Sequence, residues 1–213
     1  MDKATLYRQE RKELARFMRR LYRQGLTTAS GGNLSQRLGA SLVAITPSAT
    51  DKGRMRGREV AIIDLAGNLI TKGLSPSMET AMHLAIYSCN EETRAIVHAH
   101  PVFASAFTAM HVAINTSLTA EARAILHDPV LVPYALMGTA ELARLVAGHS
   151  LHSGVLLLEN HGVLTTGNSL LQAFDRLEVL ENAARMTVIT KLLGKQRPLA
   201  KARIQEIEKL FPC

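Results

Sequence analysis

An α/β fold is what this sequence predicts, and three observations carry that expectation. Helical apolar stripes alternate with short apolar, strand-like runs along the chain, and two of those runs deliver histidines at their ends. No internal repeat, low-complexity tract or interdomain linker interrupts the 213 residues. A chain of this length can bury a core without staples, so residues 1–213 are expected to form a single domain.

Residues 4–24 read as one amphipathic helix. Leu6, Leu14, Phe17, Leu21 and Tyr22 supply its apolar stripe, and Gly25 stands where a helix C-terminus favours glycine. The stretch Thr27-Thr28-Ala29-Ser30-Gly31-Gly32-Asn33-Leu34-Ser35 reads as a turn whose N–H groups can converge on an anion. No Gly-Lys-Ser/Thr follows, which excludes a P-loop. Ser41 to Thr46 is a strand closed by Pro47-Ser48-Ala49-Thr50, and Lys52 to Glu59 is a charged linker. Val60 to Asp64 and Leu69-Ile70 then form a hairpin across Ala66-Gly67-Asn68.

A helix is expected from Ser75, which can cap it, with Pro76 in the first turn where a missing N–H costs nothing. Such a helix start, with the Ser77 hydroxyl beside it, suits a phosphate. Glu79 in that turn is either a carboxylate placed against the helix dipole or a metal ligand and proton acceptor. His83, one turn later, is expected to pack or hydrogen-bond. Ala95-Ile96-Val97-His98-Ala99-His100 is a strand stopped by Pro101. Side chains two apart in a strand share a face, roughly 7 Å apart along the chain, so His98 and His100 can address one metal ion.

Phe103 to Met110 reads as a helix, Thr119 to Ala124 as the start of a short one, and Val130 to Tyr134 as a strand. Gly138-Thr139 introduces the helix Ala140 to Ala147. Gly154 to Leu158 is a buried strand that delivers His161, with Gly162 turning the backbone away. Leu170 to Leu193 is a long amphipathic helix ended by Gly194, and Ile204 to Leu210 a short one.

Composition narrows the function. Apolar residues make up 47% and charged residues 20%, ordinary for a globular protein. No apolar run is long enough for a bilayer. Met1-Asp2-Lys3-Ala4 leads into a charged helix, so no secretory address is expected. Cys89 and Cys213 make no disulfide framework, and a cytoplasmic setting is expected. The net charge is +7, yet aromatics are only 4%, Trp is absent and no nucleic-acid motif is present. Nucleic acid is therefore not expected as a partner. Much of the excess lies in Arg8 to Arg23, a solvated helix face, and the balance suits an anionic small molecule.

Taken together, Gly32-Asn33, Thr46-Pro47-Ser48, Pro76-Ser77-Met78-Glu79, His98-Ala99-His100-Pro101, Pro133-Tyr134, Gly138-Thr139 and Asn160-His161-Gly162 form an ordered set. The set resembles the class II aldolase/adducin family, from about residue 5 to residue 193. The resemblance implies a three-layer α/β/α sandwich with a largely antiparallel central sheet, and a homotetramer with active sites at subunit interfaces. It implies one Zn²⁺ per subunit on His98, His100, His161 and Glu79, and a phosphate pocket at Gly32, Asn33, Ser48 and Ser77. The implied reaction cleaves a ketose 1-phosphate, such as L-fuculose 1-phosphate, into dihydroxyacetone phosphate and an aldehyde through a metal-stabilised enediolate. Glu79 would then move the proton.

Some positions depart from the family pattern. Met78 stands where the sugar-phosphate aldolases carry a second phosphate-binding serine, and Ala49 replaces a loop glycine. A tyrosine acid has no equivalent near Ser117-Leu118-Thr119, and Glu121 is carried as the acid/base candidate. The residue before the helix, near Ser77, is not the aspartate of the epimerase branch. Dehydration or decarboxylation on the same metal is the alternative chemistry. An adducin-like scaffold without metal is the alternative outside catalysis.

Overall fold

The computed structural model describes residues 7–212. The expected helix residues 4–6, the Met1–Ala4 start and Cys213 lie outside the described residues. The chain runs α1 (Arg8–Arg23), β1 (Asn33–Leu38), β2 (Leu42–Ile45), β3 (Ala61–Asp64), α2 (Thr80–Cys89), β4 (Ala95–Ala99), α3 (Val102–Thr108) and α4 (Ala120–Leu126). It continues with β5 (Val130–Val132), α5 (Ala140–Ser150), β6 (Val155–Leu158), β7 (Gly162–Gly167), α6 (Leu170–Leu193) and α7 (Lys201–Leu210).

The seven strands form one sheet in the order β3-β2-β1-β4-β7-β6-β5. Every pairing is antiparallel except β5 with β6. Strand alternation splits the core in two. Leu34, Val97, Leu157 and Val163 point to one face, where Leu14, Phe17, Met18 and Leu21 of α1 and Phe174, Leu177 and Leu180 of α6 cover them. Val43, Ile63, Ile96 and Leu164 point to the other, under Met82 and Ile86 of α2 and Leu142 and Val146 of α5. This is the expected α/β/α sandwich with a largely antiparallel sheet.

Local chemistry sets the helix ends. Thr119, Thr139 and Ser169 each accept a backbone N–H at the starts of α4, α5 and α6. Gly25 takes φ +69 after α1, and the bonds Gly25 N to Tyr22 O and Leu26 N to Leu21 O close the turn.

Three expectations need correction. The helix α2 begins at Thr80 with Glu79 at its N-cap, rather than at Ser75. Pro76 makes an antiparallel bridge with Pro47, and Ser75 O accepts from Ser48 N, so Ser75 and Pro76 are held against the loop after β2 and a turn at residues 78–79 leads into the helix. Residues 33–38 form the strand β1 rather than continuing a turn, because its polar Asn33 and Ser35 find buried partners. The expected hairpin across residues 66–68 forms as a short one: Leu69 bridges Ile63, Asp64 N donates to Asn68 O and Ile70 N to Ile62 O, while the Asp64 carboxylate accepts from Ala66 N and from the N–H and side-chain amide of Asn68. Lys52 is not part of a solvated linker: it is 1% exposed, donates to Pro47 O at 2.5 Å, and burial lowers its pKa to about 8. The strand β7 has no counterpart in the sequence reading, which leaves residues 163–169 unassigned.

Candidate metal centre

In the sheet, β4 sets His98 directly opposite Asn33 of β1 and Leu164 of β7. Alternation turns Ile96 and His98 toward α2 while Val97 faces α6. The His98 Nδ1–H donates to Val163 O at 2.9 Å. A carbonyl only accepts, so Nδ1 keeps its proton, and Nε2, which faces Glu79, is the nitrogen left to take a cation or a proton. His100 follows immediately after β4. Pro101 ends the ladder there, and the first N–H groups of α3, on Phe103 and Ala104, bond the buried Glu181 carboxylate at 3.1 and 2.8 Å.

The third histidine comes from the turn between β6 and β7. Asn160 sits there at φ +54, and His161 N donates to Leu158 O at 3.0 Å. Gly162 is required for close approach: a Cβ there would lie 2.5 Å from His100 Cδ2 and 2.7 Å from Ala99 O.

The three imidazoles converge. Ring centroids are 4.8 Å apart for His98 and His161, 4.9 Å for His98 and His100, and 5.5 Å for His100 and His161. One ring nitrogen from each lies within 4.8 Å of the others, a group that could hold a metal ion. Glu79 joins them, with Oε2 3.2 Å from His98 Nε2 and Oε1 3.2 Å from His161 Nε2. Glu79 Oε1, His98 Nε2 and His161 Nδ1 are buried with no hydrogen-bond partner among the described residues. Buried polar atoms are seldom left so. A cation beside Glu79 and the His98 and His161 Nε2 atoms that face it would take up the inward lone pairs, and three imidazoles with a carboxylate suit zinc and its borderline neighbours.

The electrostatics leave the His100 and His161 lone pairs free and favour positive charge at His98 beside Glu79. Burial pulls His100 and His161 down to about 4, helped in each case by His98, so both rings are neutral at neutral pH. Burial would raise the Glu79 carboxyl, but His98, the Asn33 amide and His161 outweigh it and hold the group below the usual carboxylate range. His98 is pushed down by burial and up more strongly by Glu79, ending above its ordinary value.

The candidate anion-binding residues lie alongside. Gly32, at φ +66, packs its Cα side against His98 O, which a Cβ would approach to 2.8 Å. Ser48 Oγ accepts from Met78 N at 2.8 Å and Ser77 Oγ accepts from Glu79 N at 3.2 Å, so each hydroxyl keeps its own proton to donate. Asn33 donates its amide to Glu79 Oε2 at 2.8 Å. Ala49 sits at φ +49, a conformation glycine adopts without strain, and Met78 is 69% exposed. Glu121 is exposed in the first turn of α4, a helix packed on α6 and α7, and is not part of the histidine group.

Sequence reasoning missed Ser35, Tyr87 and Glu181 as supports of the site. The signals were present but weak: polar residues at alternate positions in 33–35, and His83 with Tyr87 four apart on the buried stripe of α2.

Comparison with known proteins meets this geometry. A 3-oxo-tetronate 4-phosphate decarboxylase of Haemophilus influenzae is 32% identical over 194 residues, covering 89% of this chain and 91% of that protein. An L-fuculose phosphate aldolase of Methanococcus vannielii is 34% identical over 184 residues, covering 86% and 98%. A solved L-fuculose 1-phosphate aldolase superposes with a TM-score of 0.86 at 29% identity, covering 95% of this chain and 96% of that one. Dehydratases occur among the relatives too. The family model described as Class II Aldolase and Adducin N-terminal domain matches residues 12–188, a span holding all three histidines and Glu79. With that match, the chain belongs to the class II aldolase and adducin family.

Proposed function

We propose that this protein is a zinc-dependent lyase that cleaves a ketose 1-phosphate, such as L-fuculose 1-phosphate, into dihydroxyacetone phosphate and an aldehyde. The observation that supports this most is the meeting of His98, His100, His161 and Glu79 around buried atoms that no hydrogen bond satisfies. The three histidines and Glu79 would hold the metal, which supplies Lewis-acid polarisation of a carbonyl when bound. Glu79, its oxygens already aimed into the site, accepts the proton of the hydroxyl next to the breaking carbon–carbon bond. It returns that proton to the three-carbon fragment. Ser48, Ser77, Gly32 and Asn33 form the phosphate pocket in this reading, with the two serine hydroxyls donating. Glu121 serves as a second acid/base group, brought to the substrate by assembly.

That assembly is a homotetramer. Exposed Tyr134, Leu136 and Met137 support it: an apolar surface runs into Gly138, whose Cβ position lies 3.7 Å from Met78 O beside the site. We further place the protein in the cytoplasm and read it as one domain. No helix among the described residues is long and apolar enough to cross a membrane.

Decarboxylation is the second reading, favoured by the decarboxylase relative and by Met78 and Ala49 at the edge of the phosphate pocket. Assay of a panel of ketose phosphates and keto-acid phosphates, before and after metal removal, decides between them. Aldol cleavage splits the skeleton, decarboxylation releases carbon dioxide and dehydration leaves the carbons together. Turnover that survives complete metal removal overturns all three.

A further inference from the structure

Behind Glu79, buried side chains hydrogen-bond in an unbroken line. Asn33 Nδ2 donates to Glu79 Oε2 at 2.8 Å, and Asn33 Oδ1 meets His83 Nε2 at 2.6 Å. His83 Nδ1 meets Ser35 Oγ at 2.6 Å, and Ser35 Oγ meets the Tyr87 hydroxyl at 2.8 Å. Asn33, Ser35, His83 and Tyr87 are all buried, and His83 is fully so.

The carboxylate fixes the direction of every bond. Ionised Glu79 only accepts, so Asn33 must turn its NH₂ toward Glu79 and its carbonyl toward His83. That carbonyl also only accepts, so His83 carries its proton on Nε2. His83 Nδ1 is therefore bare and takes the Ser35 proton, and Ser35 in turn takes the proton of Tyr87. At the far end, Arg37 lies over the Tyr87 ring at 5.0 Å and donates to Tyr87 O, pinning α2 to β1. The line cannot conduct protons, because the Asn33 amide has none to pass on at ordinary pH. It can set an orientation.

We propose that His83 is a positioning residue for the metal centre: through Asn33 it fixes the Glu79 carboxylate against His98 and His161, with Ser35 and Tyr87 locking its tautomer. This deepens the metal-dependent reading above and rests on it. It also commits the Asn33 amide to Glu79 and His83. Outer partners of this kind are typically worth about 10–100-fold in metal affinity.

The test has two parts, both on the full chain. In the first, ¹⁵N-histidine NMR of the metal-free protein reads the tautomer of His83. Nε2–H is expected, and Nδ1–H overturns the proposal. In the second, zinc affinity is measured by competition with a chromogenic chelator for wild type, His83→Phe and His83→Gln, with thermal midpoints recorded alongside. His83→Phe should bind zinc about tenfold or more weakly. His83→Gln, which keeps a donor and an acceptor, should recover most of the loss. Wild-type affinity in folded His83→Phe overturns the proposal, and so does a loss of equal size in folded His83→Gln. Should His83→Phe not fold, His83→Leu replaces it with the same expected loss of about tenfold or more, and wild-type zinc affinity in folded His83→Leu overturns the proposal. A wild type that binds no zinc refutes the metal reading itself, an outcome distinct from zinc binding that ignores His83.

Discussion

The two faces of the one sheet are built to different standards. On the side of α1 and α6, Leu34, Val97, Leu157 and Val163 join a large apolar cluster, with Thr165 bonding its hydroxyl to Ala173 O as a buried polar exception. On the side of α2 and α5, the same strands contribute Asn33, Ser35 and His98 among Ile96 and Leu164. A buried polar group costs free energy unless each donor and acceptor is matched. The second face meets that cost with a directed hydrogen-bond line, except where it stops at Glu79 Oε1 and His98 Nε2. One face stores stability, and the other spends some of it on a cation site.

Breaking each face separately sharpens the contrast. His98→Ala should abolish tight metal binding and metal-dependent turnover, measured by metal analysis of the purified protein. Leu34→Ala, at a fully buried position on the opposite face, should cost about 2–5 kcal/mol of unfolding free energy. Its metal content should stay at the wild-type level. Equal metal loss in both variants would show that the faces are not independent.

Acid should strike the polar face next. His83 is pulled down to about 3 by burial, and His100 and His161 to about 4. The unfolded chain takes up protons near pH 6.5 that these native rings refuse. Their contribution to stability is thus present above about 6.5 and lost as pH falls toward 4. Glu79, held below the usual carboxylate range, adds a loss at lower pH, while His98, raised by Glu79, works in the opposite direction. Denaturant midpoints for metal-free protein should fall between pH 7 and pH 4.5. A flat profile would mean that the rings are hydrated rather than buried.

The smallest effect belongs to the loop after β2. Ala49 holds φ +49, so Ala49→Gly should relieve strain and stabilise the fold by about 1 kcal/mol, less the extra entropy of glycine when unfolded. A thermal midpoint unchanged or lowered would show that the entropy term wins.

The sequence by itself determined the helices, five of the strands, and the identity of the converging residues. Amphipathic spacing such as Leu14, Phe17 and Leu21, and apolar runs that lead to His98 and His161, are local patterns that survive without a third dimension. It did not reveal β1, because Asn33 and Ser35 read as turn chemistry until His83 and Glu79 are there to bond them. Nor could it place the start of α2, since Ser75-Pro76 looks like a helix cap unless Pro47 is seen beside it. Which way Asn33 faces, why Lys52 is buried and which atoms are left unpaired are matters of contacts between residues far apart in the chain, such as Asn33 with His83 and Glu79 with His161. Only the folded chain decides such contacts, because the cost of an unmatched polar group exists only once water has been excluded.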